Sequence, residues 1–302
     1  GNFDDAQNGV KRIFTDAAFA KALSEHGYLL SSANSINWGR LVPQIAYYFS
    51  AYCELLNAGE LKPGDPINIV VPTGNFGNIL AAYFAKHCGL PVKKLVCASN
   101  RNNVLTDFIT TGTYDRNRGF FVTASPSMDI LISSNLERLL YLLCGRDDKV
   151  LRGYMEELAN TGKYTVGADV LAKLQSEFAA GCADDAATAA AIRTAYRETG
   201  YLCDTHTAVA VDVYRNYAAK TGDRTPTVIA STASPFKFAN SVPAAFDTAA
   251  DGGDFALLAK LSELSGQPAP QALAGLQDKT ERFTATVEPA RMKDAVSGWL
   301  GV

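Results

Sequence analysis

Only three histidines occur in 302 residues, and the six cysteines (Cys53, Cys88, Cys97, Cys144, Cys182 and Cys203) stand singly, without one Cys-x-x-Cys pair. That spacing supplies neither a zinc ligand set nor a disulfide framework. It predicts that most of these thiols are small core side chains. Long apolar runs are also missing: even Ile79 to Ala85 is broken by polar residues within a turn or two, well short of a membrane span. No charged segment followed by an apolar one marks a signal peptide. Basic charge is not in excess, with 28 Lys and Arg against 31 Asp and Glu and a net charge of -3, and no basic stripe suits nucleic acid. What remains is a composition that is 47% hydrophobic and 20% charged, as expected of a soluble cytoplasmic protein.

Along the chain, Pro63-Gly64-Asp65-Pro66 introduces the β-branched run Ile67-Asn68-Ile69-Val70-Val71, which predicts a strand buried on both faces. Lys94 to Ala98 and Thr227 to Ser231 repeat that signature. Helical patterns cover residues 10–23, 41–56 and 79–88, and another helix begins over 104–109. Residues 31–38 read as a polar loop, 150–199 as an alanine-rich helical layer, and 248–254 as a polar connection. Strands alternating with helices predict an α/β fold with three layers, a mostly parallel sheet carrying helices on both faces, and extra C-terminal helices. The opening Gly1-Asn2-Phe3-Asp4-Asp5-Ala6-Gln7 reads as a loop entering a helix with Asp4 or Asp5 as cap, and an upstream part of the protein is expected.

The most informative feature is Val70-Val71-Pro72-Thr73-Gly74-Asn75-Phe76-Gly77-Asn78-Ile79, two glycines and two asparagines between a buried strand and a helix. Glycine permits sharp turns and close approach. The helix that follows offers unpaired N–H groups and a positive dipole end, together a seat for phosphate. A structural turn could carry the same residues. Neither Gly-Lys-Ser/Thr nor GxGxxG spacing is present, so this is not a P-loop or a dinucleotide fingerprint.

Val71 to Asn78 resembles the phosphate loop of the threonine synthases, pyridoxal-phosphate (PLP) enzymes of fold type II. Other runs match that family in order: Gly1 to Gln7, Asn34 to Arg40, Asn100 to Asn103, Ser125 to Asp129, Ser133 to Arg138, Asp204 to Ala208 and Ser231 to Pro235. The resemblance covers roughly residues 1–242. It implies conversion of O-phospho-L-homoserine and water to L-threonine and phosphate, with PLP as electron sink. It further implies that Gly74, Asn75, Phe76, Gly77 and Asn78 cradle the cofactor phosphate and that the Thr232 hydroxyl faces the pyridine nitrogen. Asn34, Ser35, Asn37 and Arg40 become candidate substrate-binding residues, with Arg101 and Lys237 as further phosphate partners. His206 lies in a matching run, where a packed structural histidine is an equal reading. Many relatives have His where this chain has Ser234, so no acid–base role is assigned there. By the same resemblance, residues 1–30 are a remnant of a smaller domain and 31–302 the large PLP-binding domain.

The family's Schiff-base lysine sits in a Phe-Lys-Asp context, and none of the fourteen lysines here does. The expectation is a cofactor cradle without its covalent anchor: PLP held weakly or not at all by this chain, no turnover by the chain alone, no metal, and self-association through exposed apolar surface. Two other readings stay open, a different fold type II PLP lyase and a non-catalytic module that binds a phosphorylated metabolite.

Overall fold

The strand expected at residues 67–71 is present, and the rest of the sheet is built on it. The computed structural model describes residues 3–32, 37–246, 253–282 and 284–302. Its elements begin with α1 (Phe3–Thr15), α2 (Ala17–Glu25), α3 (Trp38–Asn57), β1 (Ile67–Pro72), α4 (Gly77–His87), β2 (Val92–Ser99), α5 (Val104–Thr111) and β3 (Thr113–Asp115). There follow α6 (Leu136–Leu143), α7 (Asp148–Thr161), β4 (Lys163–Thr165), α8 (Ala168–Glu177), β5 (Phe178–Cys182), α9 (Asp185–Thr199), α10 (Thr205–Thr221) and β6 (Thr227–Ile229). The last helices are α11 (Ser241–Ala244), α12 (Gly253–Ser265), α13 (Gln271–Ala274) and α14 (Met292–Leu300).

Four strands form one wholly parallel sheet in the order β5-β2-β1-β6, while β3 and β4 pair antiparallel as a separate ribbon. Alternate residues of a strand point to opposite faces, and that alternation sorts the core. Ile67, Ile69, Val71, Leu95 and Cys97 pack with Leu80 of α4, Phe108 of α5, Leu139 of α6 and Leu174 of α8. Val70, Val96 and Ala98 pack on the other face with Val209, Ala210 and Val213 of α10. Both faces of β1 and of the second half of β2 are covered, which is why those strands read as apolar runs; β6, expected to be buried, lies at the sheet edge and is half-buried throughout. The α/β architecture with a parallel sheet between helices is therefore the fold of this chain.

Three local expectations change. The single helix expected over 10–23 is two, because Asp16 caps α2 by accepting the Phe19 N–H at 2.9 Å, and Asp4 and Asp5 lie inside α1 rather than capping it. The alanine-rich stretch 150–199 contains β4 and β5 as well as helices. β5, Phe178-Ala-Ala-Gly-Cys182, has Phe178 as its one strong strand former but lies at the sheet edge and pairs along five residues of β2, so tertiary pairing overrides propensity. Finally, of the six free thiols only Cys97 and Cys203 are buried, whereas Cys53, Cys88 and Cys182 are exposed; most are not core side chains. Burial pushes the Cys97 thiol up to about 12.

By packing, Gly1–Asn37 with Asp278–Val302 form one compact unit and Trp38–Gln277 another. In the first, Ile13, Phe19 and Leu23 gather against Met292, Val296 and Leu300, and Lys293 Nζ lies 2.8 Å from Asp16. The expected division after residue 30 thus falls inside this unit, and residues 278–302 pack with it. No local pattern announces a partnership between segments so far apart in sequence. In the second unit, Phe236, Val242, Leu258 and Leu261 share a core with Ile192, Ala195 and Ala208, so the described residues between β6 and Gln277 are part of its body.

Candidate phosphate and cofactor site

In an open parallel sheet, ligands bind beyond the C-terminal strand ends where the winding reverses. Here that point is β1, with β2 on one side and β6 on the other. The ends of β1 and β6 release residues 73–78 and 231–234 side by side, with the Ala230 N–H donating to the Val70 carbonyl at 2.9 Å.

The turn into α4 is made by Phe76 rather than by a glycine. Its φ of 63° and ψ of 4° are left-handed, a conformation that costs energy for a bulky residue. The ring compensates by burying completely and packing 5.8 Å from the Phe178 ring. Phe76 occupies the N-cap position and gives no side-chain cap. The first-turn N–H groups of α4 thus lack the usual side-chain acceptor at the positive end of the helix dipole.

At Gly74 the missing side chain accommodates neighbouring backbone: a Cβ there would lie 2.7 Å from the Ser127 carbonyl oxygen. The Gly74 carbonyl accepts from Ser133 Oγ at 2.8 Å. The Asn75 carbonyl accepts from the Asn135 amide side chain at 2.8 Å and from its N–H at 3.1 Å. The side-chain Oδ1 of Asn75 is buried with no hydrogen-bond partner among the described residues. Asn78 is used differently, since its side-chain oxygen accepts from the Tyr48 hydroxyl. Burial pushes that phenol well above its ordinary range, so it stays a donor.

A buried polar frame supports this loop. Asn100 Nδ2 donates to Asp129 Oδ1 at 2.7 Å and to Ser125 Oγ at 3.0 Å, and Asn102 Nδ2 reaches the same Asp129 oxygen at 3.0 Å. The Ser127 N–H donates to His206 Nε2 at 3.2 Å. Burial pushes Asp204 up, but hydrogen bonds from His206 and Thr207 outweigh it and hold the carboxyl below its ordinary value.

Of the residues singled out in the sequence, Gly74 to Asn78 form one turn, and Thr232 is exposed just beyond the end of β6. Ser234 caps the turn that follows, its Oγ accepting from the Phe236 N–H at 3.3 Å. Asn34 and Ser35 lie outside the described residues. The Asn37 side chain donates to the Ser32 carbonyl at 3.1 Å, and Arg40 is exposed on the first turn of α3. Arg101 stacks over the Phe121 ring at 3.7 Å, and Lys237 is exposed. Sequence reasoning missed Tyr48 altogether. It noted the runs containing Ser133, Asn135 and His206, but nothing local showed that they meet at one loop. Among the described residues no group of His, Cys, Asp and Glu could hold a metal ion, and no helix is long and apolar enough to cross a membrane.

This fold, a parallel sheet between helices with a loop entering a helix at its switch point, matches solved threonine synthases, which are fold type II PLP enzymes. The PLP-bound threonine synthase of Brucella melitensis superposes with a TM-score of 0.80 at 39% identity, over 99% of this chain and 58% of that one. The yeast threonine synthase structure gives a TM-score of 0.80 at 31% identity, over 100% and 58%. The family model "Threonine synthase, C-terminal" matches residues 207–296. Human "Threonine synthase-like 1" is 46% identical over 80% of this chain and 32% of its own length. Pseudomonas aeruginosa threonine synthase is 39% identical over 87% of this chain and 53% of its own. The chain therefore belongs to the threonine synthase family and spans about a third to a half of the length of these curated relatives.

Proposed function

We propose that this chain forms the cofactor-phosphate side of a threonine synthase, which in the whole protein converts O-phospho-L-homoserine and water to L-threonine and phosphate in the cytoplasm. One observation carries the reading: an uncapped helix N-terminus, turned by a left-handed Phe76, opens beside a second strand end bearing Thr232. The orphaned Asn75 oxygen in the same turn is an acceptor and fits a ligand that brings a donor to it, such as a ring hydroxyl beside the phosphate, because buried polar atoms are otherwise paired.

In this reading the backbone N–H groups of Gly74, Asn75, Phe76, Gly77 and Asn78 hold the phosphate of PLP. The Thr232 hydroxyl sits at the pyridine nitrogen, where a neutral group does not force the ring to stay protonated. PLP, when bound, supplies the electron sink; these residues supply binding and orientation. The Phe76 ring and the Tyr48–Asn78 hydrogen bond keep the cradle shaped. Asn34, Ser35, Asn37 and Arg40 receive no role.

Two measurements test this. The 302-residue chain should bind PLP at most weakly, through its phosphate and without covalent capture: after borohydride reduction, peptide mapping should find no modified lysine, and a modified one would overturn the expected absence of the anchor. The protein containing this chain should release phosphate and form threonine from O-phospho-L-homoserine. Binding without release, at saturating substrate, would favour a phosphometabolite-binding module instead.

A further inference from the structure

The first turn of α10 holds both segments that flank the proposed phosphate seat. His206 is 3% exposed. Because its Nε2 accepts the Ser127 N–H at 3.2 Å, that nitrogen carries no proton. The proton resides on Nδ1, which donates to Asp204 Oδ1 at 3.1 Å. A neutral imidazole in one defined tautomer results. Ser127 is the residue whose carbonyl lies against Gly74. On the other side, the His206 ring packs 4.7 Å from Phe238, and Thr207 Oγ1 lies 3.3 Å from Ser231 Oγ while donating to the Asp204 carboxylate.

We propose that His206 is a positioning residue of this site: by holding the Ser127 N–H it keeps the Ser127 carbonyl against Gly74 and so sets the curvature of residues 74–78 for a phosphate ester. This rests on the reading that those residues seat phosphate. An apolar side chain of similar size would fill the space but remove the protein acceptor of the part-buried Ser127 N–H, and the 125–128 segment, in which Ser127 is itself exposed, would shift to turn that N–H toward water. A glutamine could offer its carbonyl oxygen to the same N–H. The effect is thus specific to the acceptor, and it acts on the part of a ligand that carries phosphate.

Pyridoxamine 5′-phosphate and pyridoxamine, neither able to be captured by a lysine, separate the phosphate contribution from the ring contribution in a fluorescence titration. The wild-type chain should prefer the phosphorylated compound. His206→Leu should weaken that compound about tenfold and leave pyridoxamine unchanged, and His206→Gln should restore most of the loss. Nitrogen-15 NMR of the wild type should show a protonated Nδ1 and a bare Nε2. Equal loss for both ligands, unchanged binding in His206→Leu, or a protonated Nε2 would each overturn the proposal. If the wild type shows no phosphate preference, the phosphate seat itself is wrong and this inference goes with it. Should His206→Leu fail to fold, Asp204→Asn takes its place, because it keeps the ring but removes the carboxylate that holds the Nδ1 proton, and the same selective loss is expected.

Discussion

The two edges of the parallel sheet use buried polar groups in opposite ways. At the N-terminal edge, Asp223 is fully engaged. It accepts from Lys93 Nζ at 2.8 Å, Thr225 Oγ1 at 2.7 Å, Tyr217 Oη at 3.0 Å and Asn68 Nδ2 at 3.1 Å. This cluster joins the start of β1, the start of β2, the end of α10 and the approach to β6. At the C-terminal edge, polar side chains bond to one another and to backbone groups of a loop whose own outward donors lack a cap. At one edge Asp223 completes its own bonding, although Asn68 Oδ1 beside it is buried with no partner among the described residues; at the other the loop holds a shape and leaves the first-turn N–H groups of α4 open. That difference is what separates a polar cluster that stabilises a fold from one that prepares a ligand site.

If the open edge is held by its frame, the largest effect should come from the residue that anchors the loop in the core. Phe76→Ala removes a fully buried ring packed on Phe178 and should cost about 3–5 kcal/mol of stability, measured by urea denaturation. A cost below about 1 kcal/mol would mean that the ring does not hold the turn. Binding of pyridoxamine 5′-phosphate should also fall, because the left-handed turn loses the burial that offsets its strain.

Much of this was legible in the sequence for identifiable reasons. Ile67 to Val71 read as a doubly buried strand because helices do cover both faces, and the spacing of Gly74 to Asn78 pointed to a loop between strand and helix. β5 was not legible, because Phe178 to Cys182 pairs through backbone while the Ala-Ala-Gly after Phe178 carries no strand signal. The frame was hidden for a different reason. Ser133 meets Gly74 and His206 meets Ser127 across separations of 59 and 79 residues, and no periodicity encodes such meetings. The runs that resembled the family marked which segments matter. Only the fold showed that they matter to one another.

The closed edge gives the intermediate effect. Hydrogen bonding from Lys93 foremost, then from Thr225, holds the Asp223 carboxyl well below its ordinary range. A depressed folded value means that the carboxylate stabilises fully above its unfolded value of about 3.9 and loses that contribution as pH falls through the folded one. Asp223→Asn should therefore cost about 1–3 kcal/mol near pH 7. The gap to the wild type should stay level from about pH 7 down to about pH 5 and narrow below about pH 4. Ligand affinity should not change. A variant that lost affinity at neutral pH while keeping its stability would break the contrast between the edges.

The smallest effect on stability should sharpen the contrast most. Asn75 has its backbone carbonyl fixed by Asn135, while its side-chain oxygen is buried and unpaired. An unpaired buried acceptor contributes nothing favourable to the empty fold, since it has lost water and gained no partner. Asn75→Ala should therefore leave stability within about 0.5 kcal/mol of the wild type or raise it slightly. If the side chain completes its bonding on a ligand, the same variant should bind pyridoxamine 5′-phosphate about threefold to tenfold more weakly. Phe76 and Asn75 are chain neighbours, so a large stability loss at one and a pure affinity loss at the other would divide fold from function within a single peptide step. A stability loss at Asn75 comparable to that at Phe76 would show instead that the C-terminal edge, like the other, is closed upon itself.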